Sequence, residues 1–215
     1  MDLELDLWKG TQPRSVQRLL LAAISAFAEL GYHGTTTRDI ARRAEMSNAA
    51  IYSHYPSKAD LLYEIVRASH ALMRDRMLTA FAQSATPIER LAGLVGVHVE
   101  THARLPTAAR IANYELRALP AERKREISAI RREMHSIMRE AIRLGTVGGD
   151  FVVEDLEATT VAVLSLGVDV SRWYMRDKRL SPSELARLYS SLVLKMVGCF
   201  AIGDADGFRS TSRLA

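Results

Sequence analysis

The sequence predicts an all-α protein of about nine helices. Apolar residues recur at three- and four-residue spacing along nearly the whole chain, and no stretch alternates with the period of two that is typical of strands. Most Gly and Pro residues fall between these periodic segments, where they begin or end helices. With 215 residues, 48% of them hydrophobic, the chain can bury a substantial core without crosslinks.

The periodic segments divide into a small N-terminal group and a larger C-terminal group. Residues 1–65 form the first domain, of which 1–12 are a flexible arm, 66–202 form the second, and 203–215 are a polar tail. The helices are predicted at about 13–30, 37–44, 48–54, 58–82, 87–105, 107–118, 121–144, 153–176 and 183–200.

Local capping signals justify these bounds in order. Gly31 ends the first helix, Thr36 with Asp39 resembles a capping box for the second, and Ser47 can cap the third. Ser57 with Asp60 begins the fourth. The later boundaries fall at Pro87, Pro106, Pro120, Gly145, Gly148, Gly149 and Pro182.

Composition narrows the functional class. The single cysteine, Cys199, excludes an internal disulfide and fits a reducing compartment. The first ten residues lack the charge order of a signal peptide, and no apolar run approaches the roughly 20 residues of a membrane span. We therefore expect a cytoplasmic protein without membrane association. A glycine-rich phosphate loop and a nucleophile elbow are both missing from the sequence, so we expect no catalysis.

The second and third helices have the geometry of a helix-turn-helix. Ile40, Ala41 and Ala44 form an inner face on the second helix, and Ile51 anchors the third. Such a third helix presents its N-terminal residues to the DNA major groove. The expected DNA-binding residues are Thr36, Thr37, Arg38, Ser47, Asn48, Ala49, Tyr52, Ser53, His54 and Lys58.

These side chains have distinct expected roles. Asn48 can pair with base edges or phosphate, and Tyr52 can contact a thymine methyl group and a phosphate. His54 and Lys58 are expected on phosphate, the latter beside a helix N-terminus that also attracts anions. The alternative is that the aromatic residues belong to the core, which we favour for Tyr55.

The run TTTRDIARRAEMSNAAIYSHYPSKADLL, residues 35–62, resembles the DNA-binding domain of the TetR (tetracycline-repressor-like) family. The resemblance covers about residues 14–65. Asn48 stands where Lys, Arg or Pro is common in the family, and Ala49 where Gly is common, so the operator sequence stays open. The resemblance implies a homodimeric transcriptional regulator, usually a repressor, that a small ligand releases from double-stranded DNA.

The last two helices are the expected dimer interface. Residues 158–174 are apolar over much of their circumference, and the following helix repeats apolar positions at Leu185, Leu188, Leu192, Met196 and Val197. Two such helices from each of two chains can form a four-helix bundle. A twofold dimer then implies a pseudo-palindromic operator. The alternative is that these faces are buried within one chain.

A ligand pocket is expected among the fourth to eighth helices. The candidate lining residues combine apolar bulk with a few polar groups: His98, His102, Asn113, Tyr114, Arg117, Met138, Asp169 and Trp173. The spacing of His98 and His102 could suit zinc, but no Cys or acidic cluster supports it, so we expect neither metal nor cofactor. Asp169 either receives a ligand group or pairs with an arginine.

The middle of the chain carries the basic excess, and two accounts of it stay open. The arginines either lie on solvated helices beside Glu122, Glu126, Glu133 and Glu140, or grip an anionic ligand. The basic residues are Arg104, Arg110, Arg117, Arg123, Lys124, Arg125, Arg131, Arg132, Arg139 and Arg143.

A second resemblance bears on the inducer. The segment 109–127 and the later RWY…LSPSELA resemble TetR-type regulators of lipid and sterol catabolism, some of which respond to acyl-CoA thioesters. An acyl-CoA or another lipid-derived inducer is therefore expected. The alternative is a multidrug-sensing regulator with an uncharged or cationic hydrophobic inducer, which the aromatic content of 7% slightly disfavours.

Overall fold

The computed structural model describes residues 7–8, 12–176 and 178–199. Within these ranges the chain forms nine α-helices, one short 3₁₀ helix and no strand. The predicted all-α class is therefore confirmed. The predicted arm and tail lie outside the described residues, apart from positions 7, 8 and 12. The α-helices are α1 (Arg14–Gly34), α2 (Thr37–Ala44), α3 (Asn48–His54), α4 (Lys58–Gln83), α5 (Pro87–Arg104), α6 (Pro106–Tyr114), α7 (Ala121–Gly148), α8 (Leu156–Trp173) and α9 (Pro182–Met196).

Side-chain caps fix the start of the short N-terminal helices. The hydroxyl of Thr36 accepts from the amide of Asp39 while the Asp39 carboxylate accepts from the amide of Thr36, which closes a capping box on α2. Ser47 caps α3 by accepting from the amide of Ala50 at 3.1 Å. Between these helices Glu45 adopts a left-handed conformation with φ of 53°, and this tight connection sets the angle between α2 and α3.

The N-terminal core reaches beyond the first four helices. Leu19, Ile40, Ile51 and Leu61 are fully buried and join α1 to α4. Residues of α6 and the start of α7 belong to the same cluster, including Ala108, Ile111, Ala112, Leu119 and Ile127. The two domains are therefore packed together through a shared apolar core. Trp8 is also 1% exposed within this cluster, so the indole at this point of the predicted arm is anchored by apolar burial.

The C-terminal domain is built around α5. This helix packs against α4, α7, α8 and α9, and its Leu91 and Leu94 are fully buried. Helix α7 continues past its predicted end near residue 144 because Gly145 stays helical. A Cβ at Gly145 would lie 2.1 Å from the ring of Phe151, so glycine allows the chain after α7 to fold back closely. Gly149, with φ of 81°, then ends the helix.

In the part of the chain that the structure describes, none of the helices combines the length and apolar character needed to span a bilayer.

Candidate functional site

Helices α2 and α3 present one exposed surface. Ile51 is fully buried and holds α3 against the core, so Ala49, Tyr52, Ser53 and His54 face outward. The hydroxyl of Tyr52, a residue that is 50% exposed, lies 3.1 Å from the hydroxyl of Thr37. This contact joins the recognition helix to the start of α2.

The predicted DNA-binding residues divide by how far the protein already engages them. Arg38 and His54 are exposed and form no hydrogen bond or ion pair with the residues that the structure describes. Thr36 uses its hydroxyl in the capping box, and Ser53 donates to the carbonyl of Ala50 at 2.8 Å. The Oδ1 atom of Asn48 is buried without a partner among the described residues, so that atom faces the protein.

Lys58 differs from its predicted role as a phosphate-binding side chain. Its ammonium donates to the carbonyls of Tyr32 at 2.6 Å and Thr35 at 2.7 Å, and lies 4.4 Å from the centre of the Tyr32 ring. Gly31, with φ of 72°, breaks α1 just before these carbonyls, which are therefore left without helical partners. Burial lowers the pKa of Lys58. The side chain thus ties α4 to the α1–α2 connection.

A cavity of about 730 Å³ lies among α4, α5, α6, α7 and α8. Its volume suits a medium-sized organic molecule. The lining is mainly apolar, with histidines and a few other polar groups: Ser69, His70, Met73, His98, Thr101, His102, Leu105, Ala109, Ala112, Asn113, Tyr114, Arg131, Arg132, Met134, His135, Val161, Leu164, Ser165, Val168 and Asp169.

The cavity brings together five of the eight predicted lining residues, namely His98, His102, Asn113, Tyr114 and Asp169. The other three lie elsewhere. Arg117 is exposed on the 3₁₀ helix, and Met138 is fully buried in the C-terminal core. Trp173 packs into that core beside Tyr174, with ring centroids 6.0 Å apart. Helical periodicity identifies a buried face, but it does not say whether that face meets a cavity or another helix.

Sequence reasoning missed His70 on α4 and Arg131, Arg132 and His135 on α7. All four line the cavity. The signal available was spacing, because Arg131 and His135 are four residues apart and so share one face of α7. Which helix that face meets depends on how α7 crosses its neighbours, and the sequence does not specify that crossing.

The cavity interior holds three uncharged histidines. Burial lowers the pKa of His70 and of His98 to about 4, and that of His102 to about 3. The His98 and His102 rings meet edge to face, with centroids 4.6 Å apart. Within the described residues, no group of three or more His, Cys, Asp or Glu side chains is arranged to hold a metal ion.

The cavity also carries two cationic side chains. Arg131 and Arg132 line it and are exposed, and neither forms an ion pair or hydrogen bond with any residue that the structure describes. Asp169, the one carboxylate among the lining residues, pairs with Arg172 at 3.1 Å. The net charge offered to a ligand at the edge of the cavity is therefore positive.

Other members of the basic group have protein partners. Arg104 pairs with Glu100 at 2.6 Å, and Arg143 pairs with Glu140 at 2.7 Å. Arg139 is 3.5 Å from Glu157. For these residues the structure favours the account of ion-paired surface helices.

Two further arginines connect the domains. Arg110 of α6 donates to the carbonyl of Ala28 in α1 at 3.0 Å. Arg123 of α7 pairs with Asp60 and also donates to the carbonyl of Ala59 at 3.2 Å, both at the start of α4. These contacts, which the sequence did not predict, place α6 and α7 directly on the N-terminal domain.

Helices α8 and α9 leave an apolar face exposed. On α9, Leu188, Leu192 and Met196 are 44–50% exposed, at four-residue spacing. Leu185 and Val197, which were also assigned to the interface, are instead buried in the core of their own chain. On α8, Val161 and Leu166 are exposed as well. An exposed apolar face of this kind marks an interaction surface.

Comparison with known families matches most of the chain. Residues 19–65 match the pattern described as "Bacterial regulatory proteins, tetR family". Residues 84–197 match "Tetracyclin repressor-like, C-terminal domain". The second match alone covers just over half of the 215 residues.

Relatives and solved structures agree with these matches. The chain is 26% identical to the fatty acid metabolism regulator protein of Bacillus subtilis over 86% of this chain and 98% of that protein. It is 26% identical to the HTH-type transcriptional repressor KstR2 of Mycobacterium tuberculosis over 82% and 89%. A solved bacterial regulatory protein in the tetR family from Rhodococcus RHA1 superposes with a TM-score of 0.82 at 38% identity, covering 88% of this chain and 100% of that one.

Proposed function

Because the chain belongs to the tetR family of bacterial regulatory proteins, we propose that it is a cytoplasmic repressor that a small lipid-derived ligand releases from its operator. Two further proposals complete this function. One concerns how the protein meets DNA as a dimer, and the other concerns the chemical class of the ligand.

The exposed α2–α3 surface is the proposed DNA contact. Helix α3 enters the major groove with Ala49 and Tyr52 toward base edges, while Arg38 and His54 approach phosphates. The N-terminus of α4 adds backbone amides that favour an anion. Lys58 supports this surface from behind by holding the α1–α2 connection.

The apolar face of α8 and α9 is the proposed homodimer interface. Two copies of this face would bury Leu166, Leu188, Leu192 and Met196 in a four-helix arrangement. A twofold axis through that interface relates the two α3 helices, so the operator is a pseudo-palindrome with half-sites about one DNA turn apart.

The ligand proposed for the cavity is an acyl-CoA thioester. One observation carries this proposal: an apolar cavity is edged by Arg131 and Arg132, which have no partner among the described residues. An acyl chain fits the apolar interior, and arginines are suited to binding phosphate groups. The relationship to a fatty acid metabolism regulator supports the same class. A cationic inducer fits less well, since Asp169 already pairs with Arg172.

Native mass spectrometry and calorimetry test the ligand class directly. The probes are butanoyl-, octanoyl- and palmitoyl-CoA, with free CoA and the free fatty acids as controls. We expect one thioester per chain and at least about tenfold weaker binding of free CoA, because the acyl group supplies the apolar contact. An operator fragment bound to the protein should dissociate as the thioester is added.

A matched pair of variants then tests the role of the arginines. The double variant Arg131→Ala/Arg132→Ala should weaken thioester binding by about tenfold or more, because charge-assisted bonds to phosphate are lost. Arg125→Ala removes an exposed arginine of α7 outside the cavity and should change little. Absence of binding for every thioester would reject this ligand class, and equal effects of the two changes would reject the arginine site.

A further inference from the structure

His98 occupies a fixed position between α5 and α8. The residue is 3% exposed, and its ring lies directly against Gly167 of α8. A Cβ at Gly167 would stand 2.0 Å from Cδ2 of His98. A glycine at this point of α8 therefore lets the imidazole approach the helix backbone, and the ring has little freedom to rotate.

The hydrogen bonds of His98 define its tautomer. Nε2 lies 3.1 Å from the carbonyl oxygen of Leu164, which can only accept, so the proton is on Nε2. Nδ1 is consequently an acceptor. This atom is fully buried and has no hydrogen-bond partner among the residues that the structure describes. Buried polar atoms without partners are rare in proteins, and they are costly.

The neighbouring histidines have the same polarity. Nδ1 of His70 lies 2.9 Å from the carbonyl of Val66, so its Nε2 is an acceptor as well. Nδ1 of His102 donates to the carbonyl of His98 at 2.8 Å, and its Nε2 is 3.4 Å from the amide nitrogen of Asn113. His102 is thereby satisfied within the protein. His98 is the member of this group whose remaining nitrogen is buried and unpartnered beside the cavity.

We propose that Nδ1 of His98 recognises a hydroxyl group on the apolar part of the ligand. The preferred ligand is then a hydroxyacyl thioester rather than a plain acyl thioester. The inference rests on the proposed function, because it assumes that the cavity holds the acyl portion. A hydroxyl donates to Nδ1, whereas a methylene or a ketone leaves that acceptor unpaired. A site with a buried acceptor discriminates against ligands that lack the donor.

The first test compares ligands that differ at one atom. Calorimetry would measure octanoyl-CoA, a set of hydroxyoctanoyl-CoA isomers with the hydroxyl moved along the chain, and the corresponding oxo-octanoyl-CoA isomers. We expect at least one hydroxy isomer to bind about tenfold or more tightly than octanoyl-CoA. Its oxo counterpart should show no such advantage, because a ketone is polar but has no proton to donate.

The second test changes the acceptor while keeping the fold. In His98→Gln the side-chain amide can still donate to the carbonyl of Leu164, but the acceptor at Nδ1 is gone. The preference for the hydroxy isomer should fall to within about twofold, with octanoyl-CoA binding unchanged. Gly167→Ala provides an independent variant, since it displaces the ring without removing it and should reduce the same preference.

A spectroscopic readout on the unaltered chain completes the experiment. With ¹⁵N-labelled histidine, the Nδ1 resonance of His98 should shift on saturation with the hydroxy isomer and not with octanoyl-CoA. An unchanged resonance would mean that a water or another group already supplies the donor, and it would overturn the inference.

The failures of the two proposals are distinguishable. If octanoyl-CoA binds but no hydroxy isomer is preferred, or if His98→Gln keeps the preference, the hydroxyl inference is rejected and the proposed function stands. If no thioester of either kind binds, the ligand class itself is rejected.

Discussion

At the scale of single residues, Lys58 illustrates how a charged side chain in a DNA-binding domain can serve the fold. Two of its three ammonium donors are used on the carbonyls of Tyr32 and Thr35. These carbonyls follow the break of α1 at Gly31, where no helical amide reaches them. The side chain therefore stabilises the connection from which α2 begins.

Lys58→Met should lower the free energy of unfolding by about 1–3 kcal/mol, because charge-assisted hydrogen bonds to two carbonyls are lost while the aliphatic part of the side chain is kept. Urea denaturation followed by circular dichroism measures this change.

Arg38→Ala is the matched control. Arg38 is exposed and has no partner among the described residues, so its removal should change the free energy of unfolding by less than about 0.5 kcal/mol. Operator affinity should still decrease, as measured by fluorescence anisotropy. A Lys58→Met variant of unchanged stability and weakened DNA binding would instead assign Lys58 to the phosphate contact.

At the scale of elements, α9 has two apolar faces with different environments. Leu185, Val193 and Val197 are buried within the chain, chiefly against α5. Leu188 and Leu192 point away from that core and are 45% and 50% exposed. The first face holds the domain together, and the second is available to a partner copy.

Leu192→Glu should shift the protein from dimer to monomer at micromolar concentration, because a carboxylate would be buried at the centre of the proposed interface. Sedimentation velocity measures the change. Leu78→Glu is the control, since Leu78 is 49% exposed on α4, away from α8 and α9. A Leu192→Glu dimer as stable as the original would place the interface elsewhere.

Elements with local capping signals were predictable from the sequence, and contacts between distant elements were not. The bounds of α2 and α3 agree with the prediction because Thr36, Asp39 and Ser47 act within one helical turn. The family match also confirms the predicted class of function, a DNA-binding transcriptional regulator.

The extent of α7 and part of the cavity were missed for a different reason. Gly145 resembles a helix terminator, and only its packing against Phe151 explains why the helix continues. His70 and Arg131 meet in the cavity through the crossing of α4 and α7, helices that are far apart in sequence. The likeness of Lys58 to a phosphate ligand was likewise misleading, because its partners lie 23 and 26 residues away.

At the scale of the whole molecule, the cavity and the DNA-binding domain share walls. Ala112 of α6 lines the cavity and also belongs to the N-terminal core, and Arg110 on the same helix bonds to α1. A ligand that moves α6 therefore moves a helix packed against the recognition domain. Binding of ligand and of DNA are then linked, and each must weaken the other if the ligand favours the released arrangement.

The three buried histidines predict a loss of stability in mild acid. Their pKa values of about 3 to 4 in the folded chain lie below the value of about 6.5 expected after unfolding. Between these values the unfolded chain binds more protons, so the free energy of unfolding falls as the pH drops below about 6.5. Each histidine contributes up to about 1.4 kcal/mol per pH unit, and above pH 6.5 the contribution is constant.

Urea denaturation between pH 7 and pH 5 measures this dependence in a range where carboxyl groups titrate little. The variant His70→Gln should reduce the slope by about one proton, because it removes one of the three buried groups. A slope that does not change in this variant would contradict the buried, neutral state of His70.

The composition of the recognition helix has a consequence for counterions. Helix α3 contains no lysine or arginine, Lys58 and Arg43 are engaged by the protein, and Arg38 remains as a free cation on the same surface. Few condensed cations are then displaced from the duplex when the dimer binds. The logarithm of operator affinity should fall with the logarithm of salt concentration at a shallow slope, about −2 to −4. Occupancy of the operator would consequently follow the concentration of the inducer closely and the ionic strength of the cell only weakly.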